Sequence, residues 1–483
     1  MLTIALIAVP LLMSGLIFVL GQKLARQLAL LAGILQLVLT VFAAVQLKYG
    51  NTSILTFQQN WIGPLGIQYH FSLDGLSIIL ALLTAISAPL IVYSTFNRTF
   101  KSPHVFYGLI WLMIGSMMGA FAAGDAFIFY LFYEIALIPI YFLILIWGSG
   151  DDRPKVTMKF FVYTMFGSLF MLASLLYVYA HTSPKTFGFE AMYQAGQSLS
   201  VLEQGLVFAG IFIAFAVKMP VFPFHTWQPS TYKAAPTAGT MLLAAIMLKM
   251  ATFGLIRLVL PMVPDGLAEY GNWALVISVI GIVYASLLAM AQKQFKLLIA
   301  YSSVAHVGLI SAGILSTNAE AIQGGLFEML SHGILAIGLF FVYDIIETRL
   351  GHDQMDKMGG IRAVNPTFAF LYFVIVMGSV ALPFTSGFVG EFLLLLGLSQ
   401  YSLWLTIFGG LTVVLGAVYM LRSFQMMMLG PENTNTSGFT ALTRQEKILL
   451  SIVVILVVGL GIFPHPIMDL SNKAVETLLA NIR

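Results

Sequence analysis

Fourteen stretches of about twenty mostly apolar residues follow one another along this chain, and they leave it few folds to choose from. A helix of that length crosses the hydrocarbon core of a bilayer with all its backbone hydrogen bonds made internally, as lipid requires. With 59% hydrophobic and 9% charged residues in 483, the chain lacks the polar surface of a soluble domain. The expected fold is all-α, a polytopic membrane protein. Its spans are expected near 2–21, 27–47, 75–95, 106–123, 126–147, 158–179, 204–228 (broken), 236–259, 272–291, 297–316, 321–346, 366–398 (broken), 402–426 and 446–463. The first run is long enough to span and no basic segment precedes it, so it is read as a helix rather than a cleavable signal. Residues 464–483 are polar enough to lie at the surface.

The basic residues orient these spans. If the first loop faces the cytoplasm, the odd-numbered loops and adjoining helix ends should collect Lys and Arg. Sixteen of the 23 lie there, among them Lys23, Arg26, Arg98, Lys101, Arg153, Lys293, Lys296 and Arg349. The other side holds Lys48, Lys185, Lys473 and Arg483, with Arg257 near it. Both termini are therefore expected on the outer face. Arg257, close to the end of its span, is expected to snorkel to the headgroups.

Two lysines remain inside, both in the stretch FAVKMPVFPFHTWQPSTYKAAPTAGTMLLAAIMLKM. Lys218 stands just before Met219-Pro220, and Pro223 and Pro229 follow, so its helix cannot run through unbroken. Lys249 lies too deep in span eight to snorkel. An ammonium at that depth costs at least about 2.5–3.5 kcal/mol, which asks for a function. Acids accompany them. Glu134, near the middle of span five, is either an ion-pair partner of Lys218 or a structural hydrogen-bonding group. Glu391 follows Gly387 and Gly390 after the break at Pro383, and either binds a proton or pins the broken helix. His306 and His332, in spans ten and eleven, suit proton relay, since imidazole titrates near neutral pH. The alternative for each is a satisfied core histidine. Glu328, one turn before His332, either orients it or is a structural partner. Asp74 and Asp125 open spans three and five and are expected to be caps or interfacial residues rather than proton carriers. His225 and Lys233, in or beside the first break, are candidates for its polar mouth.

A weak repeat organises these residues. Spans four to eight contain one broken helix, ending in Lys218, and spans nine to thirteen contain another, carrying Glu391. Five spans per unit, an odd number, give the units opposite topology, and paired broken helices in inverted repeats mark ion-handling cores. The expected division is 1–105 (helices 1–3), 106–260 (first inverted repeat), 261–426 (second inverted repeat) and 427–483 (helix 14 and tail). The absence of cysteine excludes disulfides, thiolate-held zinc and cysteine-ligated iron–sulfur clusters in this chain. No P-loop, dinucleotide fingerprint or H-x-x-x-H pair appears. A net charge of +3 gives no reason to invoke nucleic acid.

The segments FSLDGLS, YEIALIPIYFLI, AVKMPVFPFHTWQP, APTAGTMLLAAIMLKM, KLLIAYSSVAHVG, MLSHGILAIGLF and LPFTSGFVGEF are specific in combination. Through them most of the chain resembles the antiporter-like membrane subunits of respiratory complex I, the proton-pumping NADH:quinone oxidoreductase, which are related to subunits of multisubunit Na⁺/H⁺ antiporters. Glu391 looks like the M type, counterpart of mitochondrial chain 4, because the L and N types carry lysine there. The L type also continues into a long lateral helix, for which the residues after span fourteen are too few. The resemblance implies roles for Glu134 as ion-pair acid, Lys218 as its partner, Lys249 as connecting lysine and Glu391 as terminal residue, with His306 and His332 on the axis between them. It implies a mechanism in which Glu134 stabilises the Lys218 ammonium, and separation of the two releases a proton toward Glu391. It places FMN, iron–sulfur clusters and quinone in partner subunits, with no cofactor in this chain. It also implies L-type and N-type neighbours in a cell inner (plasma) membrane. One departure stands out: many members carry acidic or histidine residues after the tryptophan of the first break, where this chain reads QPSTYKAAP. Two other readings stay open, a subunit of a multisubunit cation/proton antiporter without electron transfer, and a polar axis that serves assembly alone.

Overall fold

The computed structural model describes residues 1–21, 23–432 and 434–482; Arg483, assigned above to the outer face, lies outside the described residues. Among the described residues, 13 helices are long and apolar enough to cross a membrane, from Leu2–Leu20 to Arg444–Ile462. The remaining expected span, the twelfth, is present as two pieces, Pro366–Ser379 and Ser386–Tyr401. Neither piece is long enough to cross alone. Spans three, four, eight, ten and eleven are the most enclosed by protein, while one, two, thirteen and fourteen present more side chains outward.

Both breaks have local causes. Span seven starts at a capping box, Ser200 with Glu203, and its helix Val201–Lys218 stops two residues before Pro220. The chain then turns through Phe224–Trp227 into the short helix Gln228–Ala234. Trp227 Nε1 donates to the Val217 carbonyl at 2.7 Å and so satisfies one of the helix's last acceptors. In the second break Ala381 and Phe384 adopt positive φ values of 53° and 72°, a conformation that costs L-residues about 1–2 kcal/mol each. Gly387 abuts the Gly378 carbonyl so closely that a Cβ would collide with it.

The structure adds irregularities that periodicity did not predict. Span five kinks at Ala136, between Ala126–Ile135 and Leu137–Trp147, because Pro139 has no N–H and clashes with the preceding turn. Span eight, Thr237–Met262, contains π-helical turns at Leu243–Met247 and Leu255–Val259, on either side of Lys249. The loop at 48–74 forms an antiparallel hairpin, Thr56–Ile62 with Ile67–Ser72, and the loop at 180–203 includes the helix Phe189–Gln197. The tail is a helix, His465–Ala480, with Ser471, Val475 and Leu478 buried and its other face outward, as a surface helix should be.

Asp125 caps span five, accepting from the Phe127 and Ile128 amides. Asp74 caps span three through Leu76 and Ser77, and its second oxygen takes Arg257 Nη2 at 2.6 Å. Arg257 thus reaches a protein partner rather than a headgroup: an acid 183 residues earlier, its side chain 38% exposed, meets it at the protein surface. Burial raises the Asp74 carboxyl, but the Arg257 guanidinium and the Ser77 hydrogen bonds outweigh it and hold it below the usual carboxylate range. Its stabilisation is complete above the unfolded-state value of about 4 and is lost as pH falls through the lower folded value. Melting curves between pH 7 and pH 3 should accordingly flatten in Asp74→Asn. An acid loss equal to that of the parent would count against this pairing.

Candidate functional site

The buried side chains separate into two groups. In the first, Lys218 ends its helix 1% exposed, with Nζ donating to the Tyr133 carbonyl at 2.7 Å and lying 3.3 Å from the centre of the Tyr133 ring. A carbonyl at a kink is open to an outside donor, and a ring face attracts a cation. Glu134 is the next residue. Its carboxylate stands beside Ser168 of span six, and its Oε1 is buried without a hydrogen-bond partner. The expected ion pair between Glu134 and Lys218 is thus not in direct contact here; the neighbouring backbone carbonyl holds the ammonium instead.

The second group is continuous. Lys249 Nζ donates to the Ala244 carbonyl at 2.6 Å and lies 2.7 Å from His332 Nδ1. The carbonyls of a π-helical turn are offset from the regular ladder, which leaves one for a side chain. The His332 and His306 rings follow, centroids 5.6 Å apart. His306 Nδ1 is 3.1 Å from Glu391 Oε1, near enough for charge pairing, although the angle is not that of a hydrogen bond. Spans eight, eleven, ten and twelve each supply one of these four residues. Glu328 adjoins the last two, and Gly390 packs directly on it. Ser331 Oγ donates to Ser386 Oγ at 2.8 Å, joining span eleven to the start of the second half-helix.

Of the lesser candidates, His225 is buried between the rings of Phe222 and Tyr284, apart from both groups. Lys233 is exposed, and only its backbone carbonyl takes part, accepting from Lys296 Nζ at 3.3 Å.

A polar cavity of about 170 Å³ escaped the sequence reasoning. It is lined by Thr95, Arg98, Thr237, Lys296, Asp344 and Glu347, on the side rich in Lys and Arg. Arg98 Nη2 pairs with Asp344 at 2.7 Å and Glu347 at 3.3 Å, and buried Lys296 donates to the Ala235 carbonyl at 2.9 Å. Thr237 and Asp344 are each twelve residues from Lys249 and His332 on the same helices, or roughly 18 Å away. The only advance hint was Asp344, an acid near the end of a long apolar run.

Comparison with known proteins adds the family. The family model described as "NADH:quinone oxidoreductase/Mrp antiporter, TM" matches residues 123–416. The NADH-quinone oxidoreductase subunit M of Rickettsia typhi is 35% identical over 455 residues, covering 93% of this chain and 91% of the relative. A chain of respiratory complex I from Thermus thermophilus with bound NADH superposes with a TM-score of 0.88 at 29% identity, over 99% of this chain and 100% of that one. A chain of the Mrp complex from Dietzia sp. reaches 0.87 at 19% identity, over 100% of this chain and 98% of its own, and so shares the fold.

Proposed function

The chain belongs to the NADH:quinone oxidoreductase/Mrp antiporter family of membrane subunits, and we propose that it is the M-type, proton-translocating member of a quinone oxidoreductase complex. The observation that carries this reading is the run Lys249–His332–His306–Glu391, in which four helices bring together titratable groups that lipid would otherwise exclude. FMN, iron–sulfur clusters and the quinone site belong to partner subunits, and L-type and N-type subunits are the neighbours. Units 106–260 and 261–426 act as inverted repeats, each contributing one broken helix. Both termini face outward across a bacterial plasma membrane.

In this mechanism protons enter at the cavity lined by Lys296 and Asp344, which compensates for the QPSTYKAAP departure. Lys218 holds a proton on its amine while Glu134 is near and gives it up when Glu134 withdraws. Water bridges Lys218 to Lys249. The Lys249 amine passes a proton to His332 Nδ1, His306 relays it, and the Glu391 carboxylate receives it.

Glu391→Gln removes the receiving group and is expected to lower quinone-coupled proton uptake by inverted vesicles at least about tenfold. Flavin and iron–sulfur absorbance of the purified complex should be unchanged. Pumping at the parental rate would refute the terminal role, and a complex without flavin or iron–sulfur absorbance would favour the antiporter reading.

A further inference from the structure

The proposed path leaves Glu328 without work, and its surroundings suggest some. It is 1% exposed in span eleven, Ala319–Leu350. A Cβ on Gly390 would collide with the Glu328 carboxylate, Cβ and Cα, so only glycine allows the helix carrying Glu391 this close. One ligating atom each from His306, Glu328 and Glu391 lie within 4.8 Å of one another. Oε2 of Glu328, Oε2 of Glu391, both ring nitrogens of His306 and Oγ of Ser303 are all buried without a hydrogen-bond partner. Beside them is a cavity of about 20 Å³, lined among others by Ser303, His306, Glu328 and His332, large enough for about one water.

We infer that Glu328 and Glu391 form an acid–carboxylate pair that stores a single proton. Two carboxylates whose oxygens lie within 4.8 Å in a buried site cannot both stay ionised, and an O–H on one reaches the other through the single water that the adjoining cavity has room for. The groups facing the pair do not offset a double negative charge. Span ten supplies His306, span eleven His332, span thirteen Tyr419, whose hydroxyl donates to Ser302, and span eight Lys249. Only Lys249 is a ready cation, and its ammonium already engages Ala244 and His332. Transfer within the pair breaks the O–H bond on one carboxyl and forms it on the other, and the negative charge moves the opposite way. A proton arriving from His306 gives the pair a second proton, and release restores one. The store therefore deepens the proposed path by giving its terminal step two carboxyls. The shared proton itself rests on the geometry alone.

Infrared difference spectra of the purified complex in H₂O and D₂O at pH 7 test this. The parent should show an isotope-sensitive C=O band of a buried carboxylic acid. That band should vanish in both Glu328→Gln and Glu391→Gln, where the remaining carboxyl is left alone with the basic groups, and persist in Glu328→Asp. In proton-uptake assays Glu328→Gln should fall several-fold and Glu328→Asp should recover most of the rate. A band surviving in Glu328→Gln, or absent from the parent, would overturn the shared proton. A band that appears only after sodium is removed would overturn it too, because an ion would then hold the pair. If the band behaves as expected while Glu391→Gln pumps normally, the pair stands and the proposed function fails.

Discussion

Replacing Lys218 with alanine is expected to reduce quinone-coupled proton pumping about a hundredfold, the scale of losing one positioned proton-transfer group. Lys218→Arg should do no better. Alanine removes the amine from the end of the first broken helix, where it touches the Tyr133 carbonyl and ring. Arginine keeps the positive charge, the hydrogen bond to Tyr133 and the contact with its ring, but a guanidinium does not release its proton. The pair of variants thus separates proton transfer from charge. Glu134 makes no direct contact with the lysine here, so in the proposed mechanism it acts through distance. At an effective dielectric near 20, moving a carboxylate from about 4 Å to about 8 Å changes its attraction from roughly 4 to roughly 2 kcal/mol. Glu134→Gln abolishes that change, and pumping should fall with it. Proton uptake by reconstituted vesicles checks all three variants. If Lys218→Arg pumped like the parent, the lysine would be a structural cation and the switch would be wrong.

The largest expected loss of stability is at Arg349. Its guanidinium meets Glu446 fork to fork, Nη2 to Oε2 at 2.7 Å and Nη1 to Oε1 at 3.0 Å, with side chains only 8% and 11% exposed. Nε and Nη2 also donate to the carbonyls of Thr440 and Ala441 at 3.1 Å. Glu446 in turn completes the capping box that begins span fourteen at Thr443. Arg349→Ala therefore strands a buried carboxylate and loosens both the loop and the helix start. Breaking such a pair from one side costs about 3–5 kcal/mol. Thermal unfolding in detergent should shift markedly downward, and amide exchange should accelerate first at 443–448. The double variant Arg349→Leu/Glu446→Leu should recover much of the loss, since paired apolar replacements of buried ion pairs are often neutral. Unchanged melting of Arg349→Ala would show the pair to be energetically idle.

These contacts differ in how far the chain announced them. Lys218, Lys249, Glu134 and Glu391 were legible because a charge inside twenty apolar residues has few innocent explanations. Pro220 and Pro383 announced the two breaks for an equally local reason. The contact of Lys249 with His332 was hidden, because the two lie 83 residues apart and either histidine could have been its neighbour. Tyr133 was hidden differently. The group it offers is a carbonyl that every residue has, and only the interruption of span five at Ala136 makes this one available. Arg257 reaches toward the surface as its place near a helix end suggests, but the partner it finds there, Asp74, comes from a distant span that no local pattern names.

The sequence by itself determined which segments are apolar enough to lie in the bilayer, how many there are, and that Lys218, Lys249 and Glu391 stand inside them; the buried Lys296 and Asp344 it did not announce. The membrane judges each stretch of about twenty residues by its own composition, so that information is local. Which buried charges meet was decided only by tertiary structure. Gly390 and the left-handed residues Ala381 and Phe384 set how the second broken helix seats against span eleven, and hence that Glu391 faces His306 and Glu328. Such meetings depend on how whole helices pack, and no single stretch of the chain encodes that.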